Sequence, residues 1–504
     1  MLEKVTIREA FTQARSCFDQ MERWLSSKEA FLSTHSELEE QLKVDGHELL
    51  REMLQSHLQL RALEEERLAV VEGSDGQERR QVEDSSRGLM TVFGSVRVPR
   101  LSYGARAAKD LHPADATLNL PNERASHSLR KVAAEEACKA SFDEVVTAID
   151  NHTGARVAKR QAEELVNRAS QDFDEFYESG AATPATSSKK DLVVLSSDGK
   201  GIVMLHRDLR EATRKAAESE AHKIDRRLSP GEKKNRKRMA TVAAVYSVAP
   251  FIRTPADILA DLRPVRSVDK QRPKAHDKRI WASVEKEPSV VTADMFDEAE
   301  RQDPRHRRKW VGLVDGDPRQ IARIEAEAVR RGVELTIVLD LIHVLEYLWK
   351  AAWCFFEKGD RDAQVWVTER AVAILEGKSS DVAAGIRRSA TLQGLRARER
   401  IAVDACCDYL IAKRAYLHYD QYLAAGYPIS TGVIEGACRH LICDRLDITG
   451  ARWSASGAEA VLRLRSLRSS GDFDAYWSFH LAKEHERNHR SRYAEGVIPA
   501  RMAA

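Results

Sequence analysis

At 504 residues the chain holds enough sequence for about three domains, or for one large domain with insertions, and a very small fold is excluded. Hydrophobic residues at 43% and charged residues at 31% supply a core and leave no case for global disorder. The formal charge, 80 − 78 = +2, points to no partner, yet it is unevenly spread: residues 35–84 carry 14 acidic and 6 basic side chains, net −8, and residues 223–238 carry 8 basic and 2 acidic, net +6. Such segregation permits a local basic footprint on a nearly neutral protein. Seven cysteines without any CxxC spacing suit a reducing cytoplasm. The opening MLEKVTIREAFTQARSCF has no basic end followed by an apolar block, and the longest uncharged apolar-rich stretch, TVAAVYSVAPFI (241–252), falls short of the ~20 residues that span a bilayer. Neither export nor membrane insertion is expected.

Residues 1–70 read as helix, because Leu42, Leu49, Leu50, Met53 and Leu54 recur at helical spacing and no proline intervenes. This arm, taken as 1–84, either dimerises or lies solvated on its own domain. From Met90 the pattern alternates: Val92, Val96 and Val98 around Gly94 predict a short hairpin, and LHPADATLNLP a proline-punctuated connector. Three short helices follow, divided at Ala140-Ser141 and Thr153-Gly154, with Ser141 and Glu144 forming a capping box. A glycine turn followed by a helix that displays Arg156, Lys159 and Arg160 fits a helix-turn-helix, which makes 85–180 a candidate DNA-binding region. A three-helix bundle that binds no DNA is the alternative.

After the loop at 180–190 the chain alternates strands and helices. Strands are predicted at Leu192–Ser196, at 201–205 beyond a tight Gly199 to Gly201 turn, at 239–248, at 310–317 and in VELTIVLD up to Asp340. Helices are predicted near 291–302 and, between Pro318 and Gly332, over PRQIARIEAEAVRR. This order is that of a ribonuclease H-like mixed sheet flanked by helices. Asp198 would leave the first strand and Asp315 end the fourth, so that two carboxylates distant in sequence meet at one sheet edge. Taken singly, each is as well explained as a turn former or helix cap. Residues 346–425 read as a helical insertion whose Tyr347, Trp349, Trp353, Phe355 and Phe356 are core. Beyond it, Ser430 and Thr431 start a helix carrying Glu435 and Arg439 on one face, either aimed together at a phosphate or a plain surface pair. The core is thus 190–345 plus 426–470, and 471–504 reads as a C-terminal tail.

The segments LSSDGKGIV, GLVDGDP, LDLIHVLEYLW and GVIEGACRHLICDRLDITGARW resemble bacterial insertion-sequence transposases of the Kra type, within the Mutator-like group of DDE enzymes. The likeness extends to VFGSVRVPRLSY, LHPADATLNLP and SFDEVV, and so covers roughly residues 85–470. It implies that Asp198, Asp315 and Glu435 form the acidic triad and that Asp340 and His343 match a D-x-x-H motif. Asp340 also ends a strand and is the rival for second catalytic aspartate. His343 would orient the scissile phosphate, or else be a core histidine bonded to Asp340. Many relatives carry a cysteine-rich zinc element upstream; Tyr103-Gly104-Ala105-Arg106 contains no cysteine, and no structural zinc is expected.

The chemistry implied is hydrolysis that releases a 3′-hydroxyl, then attack of that hydroxyl on target DNA, with two Mg²⁺ ions about 3.5–4 Å apart on the triad. Asp198 would bridge both ions, Asp315 and Glu435 would each complete one, and Mn²⁺ would substitute. Expected DNA contacts are Arg156, Lys159, Arg160, Arg236, Lys237, Arg439, Arg445, Arg452 and Trp453, with the indole stacking on an unpaired base. The basic runs 223–238 and 301–309 would flank the sheet, or be merely solvated loops. Partners would be terminal-repeat and target double-stranded DNA and a second copy of the chain, in the bacterial nucleoid region of the cytoplasm. A domesticated, non-catalytic DNA-binding regulator and a nuclease that cuts without joining are the alternatives.

Overall fold

The computed structural model describes residues 7–182, 188–219, 236–261, 272–448 and 450–499. Two units divide the chain: residues 1–182 with 472–504, and residues 183–471.

In the first unit, helix Thr12–Leu25 and the 29-residue helix His35–Leu63 precede a hairpin. Thr34 and Glu37 close a reciprocal capping box that starts the long helix. Leu54 and Leu58 pack from it onto Leu89, Val96, Val98 and Leu120, so this helix lies on its own unit along that stripe. Leu42, Leu50 and Met53 remain exposed. The hairpin is longer than the alternation suggested: β1 (Gln81–Thr91) and β2 (Gly94–Gly104) pair along their full length around a two-residue turn. The arm assigned to 1–84 is therefore helical only to Leu63.

The three short helices are His127–Ala137, Phe142–His152 and Lys159–Ala169, and the Ser141–Glu144 capping box is present. Gly154 has a different job from the sharp turn expected of it. Its N–H donates to Val92 O at 2.8 Å, and a Cβ there would lie 2.3 Å from Phe93 O, so close approach of the hairpin tip excludes a side chain.

The C-terminal residues read as a tail form a 16-residue helix, Phe473–Asn488, inside this unit. The fully buried Arg130 donates to Glu484 at 2.8 Å, contacts His480 Nε2 at 2.8 Å and pairs with Glu123. His480 Nδ1 in turn lies 2.6 Å from Asp172. Burying charges demands partners, and this network supplies them from segments more than 300 residues apart.

The second unit is a mixed α/β structure. Its five strands are β3 (Leu192–Val203), β4 (Lys237–Val248), β5 (His276–Ser283), β6 (Trp310–Val314) and β7 (Leu335–Leu339), in the order β5-β4-β3-β6-β7. β3 and β4 pair antiparallel, as do β4 and β5, whereas β3–β6 and β6–β7 are parallel. Consecutive buried residues, Leu192 to Leu195 and Val242 to Val245, show a sheet covered on both faces.

Two expectations fail here, and their errors cancel in the strand count. The predicted turn at Gly199 to Gly201 does not exist, because β3 runs straight through it. A Cβ on Gly201 would come within 2.8 Å of Lys237, so this glycine serves a close neighbour across the ladder. β5 went unread because HDKRIWAS is charged over its first half; it pairs with β4 alone, as an edge strand does, and tolerates polar residues.

Helix Pro318–Arg331 has its Asp317 N-cap and left-handed Gly332 stop, as punctuation predicted. Residues 341–424 supply helices Leu341–Ala352, Arg361–Leu375, Ser379–Leu392, Ile401–Ala412 and Tyr419–Ala424. No helix among the described residues is long and apolar enough to cross a membrane.

Candidate functional site

Parallel pairing of β3 with β6 decides where the two sheet aspartates stand. Ser196 is opposite Leu313, an offset of 313 − 196 = 117, and 315 − 198 gives the same value. Asp198 and Asp315 therefore lie two residues past the last ladder pair on neighbouring strands. Asp198 is inside β3 rather than at its end, where burial gives way to exposure. Its Oδ1 accepts from the Gly199 N–H at 2.6 Å and its Oδ2 from the Cys438 thiol at 3.3 Å. Gln320, buried, anchors the adjoining backbone by donating to the Ser197 carbonyl and, at 3.1 Å, to the Ser197 hydroxyl.

Asp315 follows β6 directly and is half-buried. Its Oδ1 accepts from Asp317 N–H at 2.9 Å, and Oδ2 has no hydrogen-bond partner among the described residues. Gly316 continues with φ of 103°, and Tyr409 donates to the Asp315 carbonyl at 3.1 Å. Tyr409 stacks on Tyr347 with ring centroids 4.0 Å apart, so the insertion holds this loop from outside the sheet.

Asp340 behaves differently. It is fully buried, caps helix Leu341–Ala352 through Oδ1 to Ile342 N–H at 3.0 Å, and accepts at Oδ2 from Thr431 Oγ1 at 2.6 Å and from His343 Nδ1 at 3.0 Å. Both oxygens are thus committed. Burial opposes protonation of His343, but the hydrogen bond to Asp340 and the charges of Asp340, Asp315 and Glu346 outweigh it and raise its pKa. The His343 ring is 35% exposed, bonded to Asp340 yet open to a ligand.

Glu435 lies on helix Gly432–Cys438, exposed, with Thr431 Oγ1 at 3.4 Å. The single Thr431 proton goes to Asp340 at 2.6 Å, and Glu435 stands beside that pair. Cys438, on the last turn of that helix, reaches Asp198, and its thiol pKa is pushed up by burial and by the Asp198 charge. The helix continues as a π turn, Arg439–Cys443, a distortion frequent at functional sites. Arg439 keeps its i, i+4 backbone bond to Glu435 and pairs across the π turn with Asp444 at 3.7 Å.

Thr431, Cys438 and Tyr409 were invisible as site residues in the sequence, since nothing in their spacing names the carboxylate each touches. Among the described residues no group of three or more His, Cys, Asp or Glu side chains stands in metal-binding geometry.

The expected DNA contacts separate into two groups. Arg156 and Arg160 are 91% and 89% exposed, with surface partners Asp150 and Glu164, and Lys159 pairs with Asp143 at 2.7 Å. Exposed pairs of this kind are weak enough to be exchanged for phosphate. Arg439 and Arg452 are exposed, Arg236 is half-buried, and Lys237 lies 3.7 Å from Asp447. Of the basic run 223–238, residues 223–235 lie outside the described residues. In the 301–309 run, Arg308 is buried against Ser247 and Asp303, leaving Arg305, Arg307 and Lys309 exposed.

Arg445 and Trp453 must be reassigned. Both are buried, the Arg445 guanidinium lies 4.7 Å from the Trp453 ring centre, and the indole N–H donates to Leu446 O at 3.1 Å. The Trp453 backbone also bonds Val203 O and Leu205 N–H, extending the end of β3. A side chain packed in this way has no face for a base, and its role is to fasten the segment after Glu435 to the sheet. Scans of the chain against protein-family models and against curated proteins give no match.

Proposed function

We propose that the chain is a DDE transposase of the Mutator-like group, with a ribonuclease H-like core, that cuts the ends of an insertion sequence and joins them to target DNA. The carrying observation is that Asp198 and Asp315 each stand two residues beyond the last paired residues of adjacent parallel strands, with the Glu435 helix touching Asp198 through Cys438. The strand order and directions of the sheet agree with that core.

Asp198, Asp315 and Glu435 are the residues that would hold Mg²⁺, because hard carboxylate oxygens suit it and each of the three is at least partly exposed. When bound, the ions would activate the attacking oxygen and offset charge on the leaving one. Asp340, saturated with hydrogen bonds, positions His343 rather than binding metal, and His343 presents its other nitrogen to a phosphate. Arg156, Lys159 and Arg160 would bind terminal-repeat DNA, and a homodimer would hold two ends.

The test is 3′-hydroxyl release from candidate element ends in Mg²⁺, followed by joining to supercoiled target. Asp198→Asn, Asp315→Asn and Glu435→Gln should each lose at least about a hundredfold in cleavage. Retained cleavage in Asp315→Asn with abolition in Asp340→Asn would reverse the assignment of the second aspartate. Cutting without joining marks a nuclease, and binding without either marks a regulator.

A further inference from the structure

The first unit contains a polar cavity of about 180 Å³, about ten times what one water needs, lined among others by Arg87, Arg100, His112, Asp115, His489 and Arg492. Its walls come from β1, β2, the helix Pro113–Thr117 and the residues after the C-terminal helix. Burial, reinforced at His112 by the Arg100 charge, lowers the pKa of His112 and His489, so both rings are neutral near pH 7. Three guanidiniums and one carboxylate then line the cavity, a lining charge of 3 − 1 = +2 that the nearby Glu65 carboxylate offsets in part. A cavity of that sign selects an anion.

The unmet hydrogen-bonding groups of the wall narrow the anion further. Arg100 Nη1 donates to Asp115 Oδ2 at 2.5 Å, and Arg87 lies 3.9 Å from the same oxygen. The side chains of Arg100 and Asp115 are 10% and 9% exposed, yet Arg100 Nε and Asp115 Oδ1 are buried with no hydrogen-bond partner among the described residues. Unmatched buried groups of this kind call for a ligand or water. Each histidine spends one nitrogen on a carbonyl, His112 Nδ1 on Leu101 O at 3.3 Å and His489 Nε2 on Leu120 O at 2.8 Å. With the rings neutral, the remaining nitrogens are acceptors. A fitting ligand must therefore accept from guanidinium and also donate a proton of its own.

We propose that this cavity binds a protonated phosphate, as inorganic phosphate or a phosphomonoester, whose oxygens accept from Arg100 and Arg492 and whose P–OH donates to Asp115 Oδ1. Sulfate and phosphodiesters, which carry no such proton, are disfavoured by the same carboxylate.

Calorimetric titration of the full chain with sodium phosphate and sodium sulfate at matched ionic strength tests this. Saturable phosphate binding is expected, with sulfate at least about tenfold weaker. Arg492→Gln, at an exposed position, should weaken phosphate about tenfold while leaving the melting temperature in chloride unchanged. Lys139→Gln should bind as the parent does. Asp115→Asn, which replaces an acceptor by a donor, should narrow the gap between the two anions. A 5′-phosphorylated oligonucleotide that competes where its unphosphorylated twin does not would identify a nucleic-acid end as the source; failure of both to compete would identify the free anion, and either keeps the site. Absent phosphate binding, equal affinity for sulfate, or parent-like affinity in Arg492→Gln would overturn it.

Discussion

Among single residues, the contrast between Asp315 and Asp340 shows how identical side chains at equivalent strand ends acquire different work. Asp340 is fully buried and accepts three hydrogen bonds, whereas Asp315 spends one oxygen on a turn and leaves the other open. No sequence pattern separates them, because both stand at the end of a short apolar run. Trp453 carries the opposite lesson. Its position after the Glu435 helix, beside Arg452, suggested a stacking platform, but the residue is 6% exposed. Trp453→Ala should therefore destabilise the second unit by about 3–5 kcal/mol in denaturant melts, from cavity formation. Arg452→Gln, at an exposed site, should leave the melt nearly unchanged and reduce the salt slope of DNA binding by about one. A Trp453→Ala protein that melts like the parent but loses DNA affinity would restore the indole to the interface.

At the scale of elements, the insertion acts on the sheet through tyrosines. Tyr419, fully buried, donates to Leu339 O at 2.8 Å, the residue before Asp340; Tyr422 donates to Ile337 O at 3.2 Å, and Tyr409 to Asp315 O. Three hydroxyls thus grip carbonyls along β7 and after β6. Burial drives the Tyr419 pKa far above its ordinary value, so the hydroxyl keeps its proton. Tyr419→Phe removes one buried partner and should lower stability by about 1–3 kcal/mol, read as a shifted urea midpoint at constant slope. An unchanged midpoint would show that water replaces the hydroxyl. The aromatic run 347–356 was legible as core by composition, but which tyrosine meets which carbonyl depends on how the helices dock. Strand β5 escaped detection for a related reason, since at an edge pairing selects the strand as much as apolar alternation does.

For the molecule as a whole, the charge of +2 averages over local environments that titrate separately. In the first unit, burial and the Arg130 charge lower the His127 pKa from 6.5 to about 4. Burial pushes Glu484 upward, but the charge and hydrogen bonds of Arg130 prevail and bring it from 4.5 to about 2. Both folded values are depressed. The His127 contribution is complete above pH 6.5 and is lost as pH falls towards 4, and the Glu484 contribution is complete above 4.5 and is lost as pH falls towards 2. Stability of this unit should fall steadily on acidification from pH 6.5, by about 1–3 kcal/mol over the upper part of the range. Thermal melts against pH should show that upper part flattened in His127→Asn. A parent protein equally stable at both ends of that range would refute the placement of His127.

Local rules settled much of this protein from sequence alone. The capping box at Ser141, the Pro318 to Gly332 punctuation, the hairpin around Gly94 and the helical run beyond Asp340 all depend on neighbours within a few residues, which the sequence displays directly. Asp198, Asp315 and Glu435 were singled out by type and position. Tertiary structure decided everything that needs two distant segments: the placement of Asp198 and Asp315 beyond adjacent strand pairs, the bond of Thr431 to Asp340, the burial of Arg445 and Trp453, and the return of Phe473–Asn488 to the N-terminal unit through Arg130. Spacing along a chain encodes periodicity; strand offset, burial and the partner of a buried charge arise only when segments pack, because each is a property of pairs.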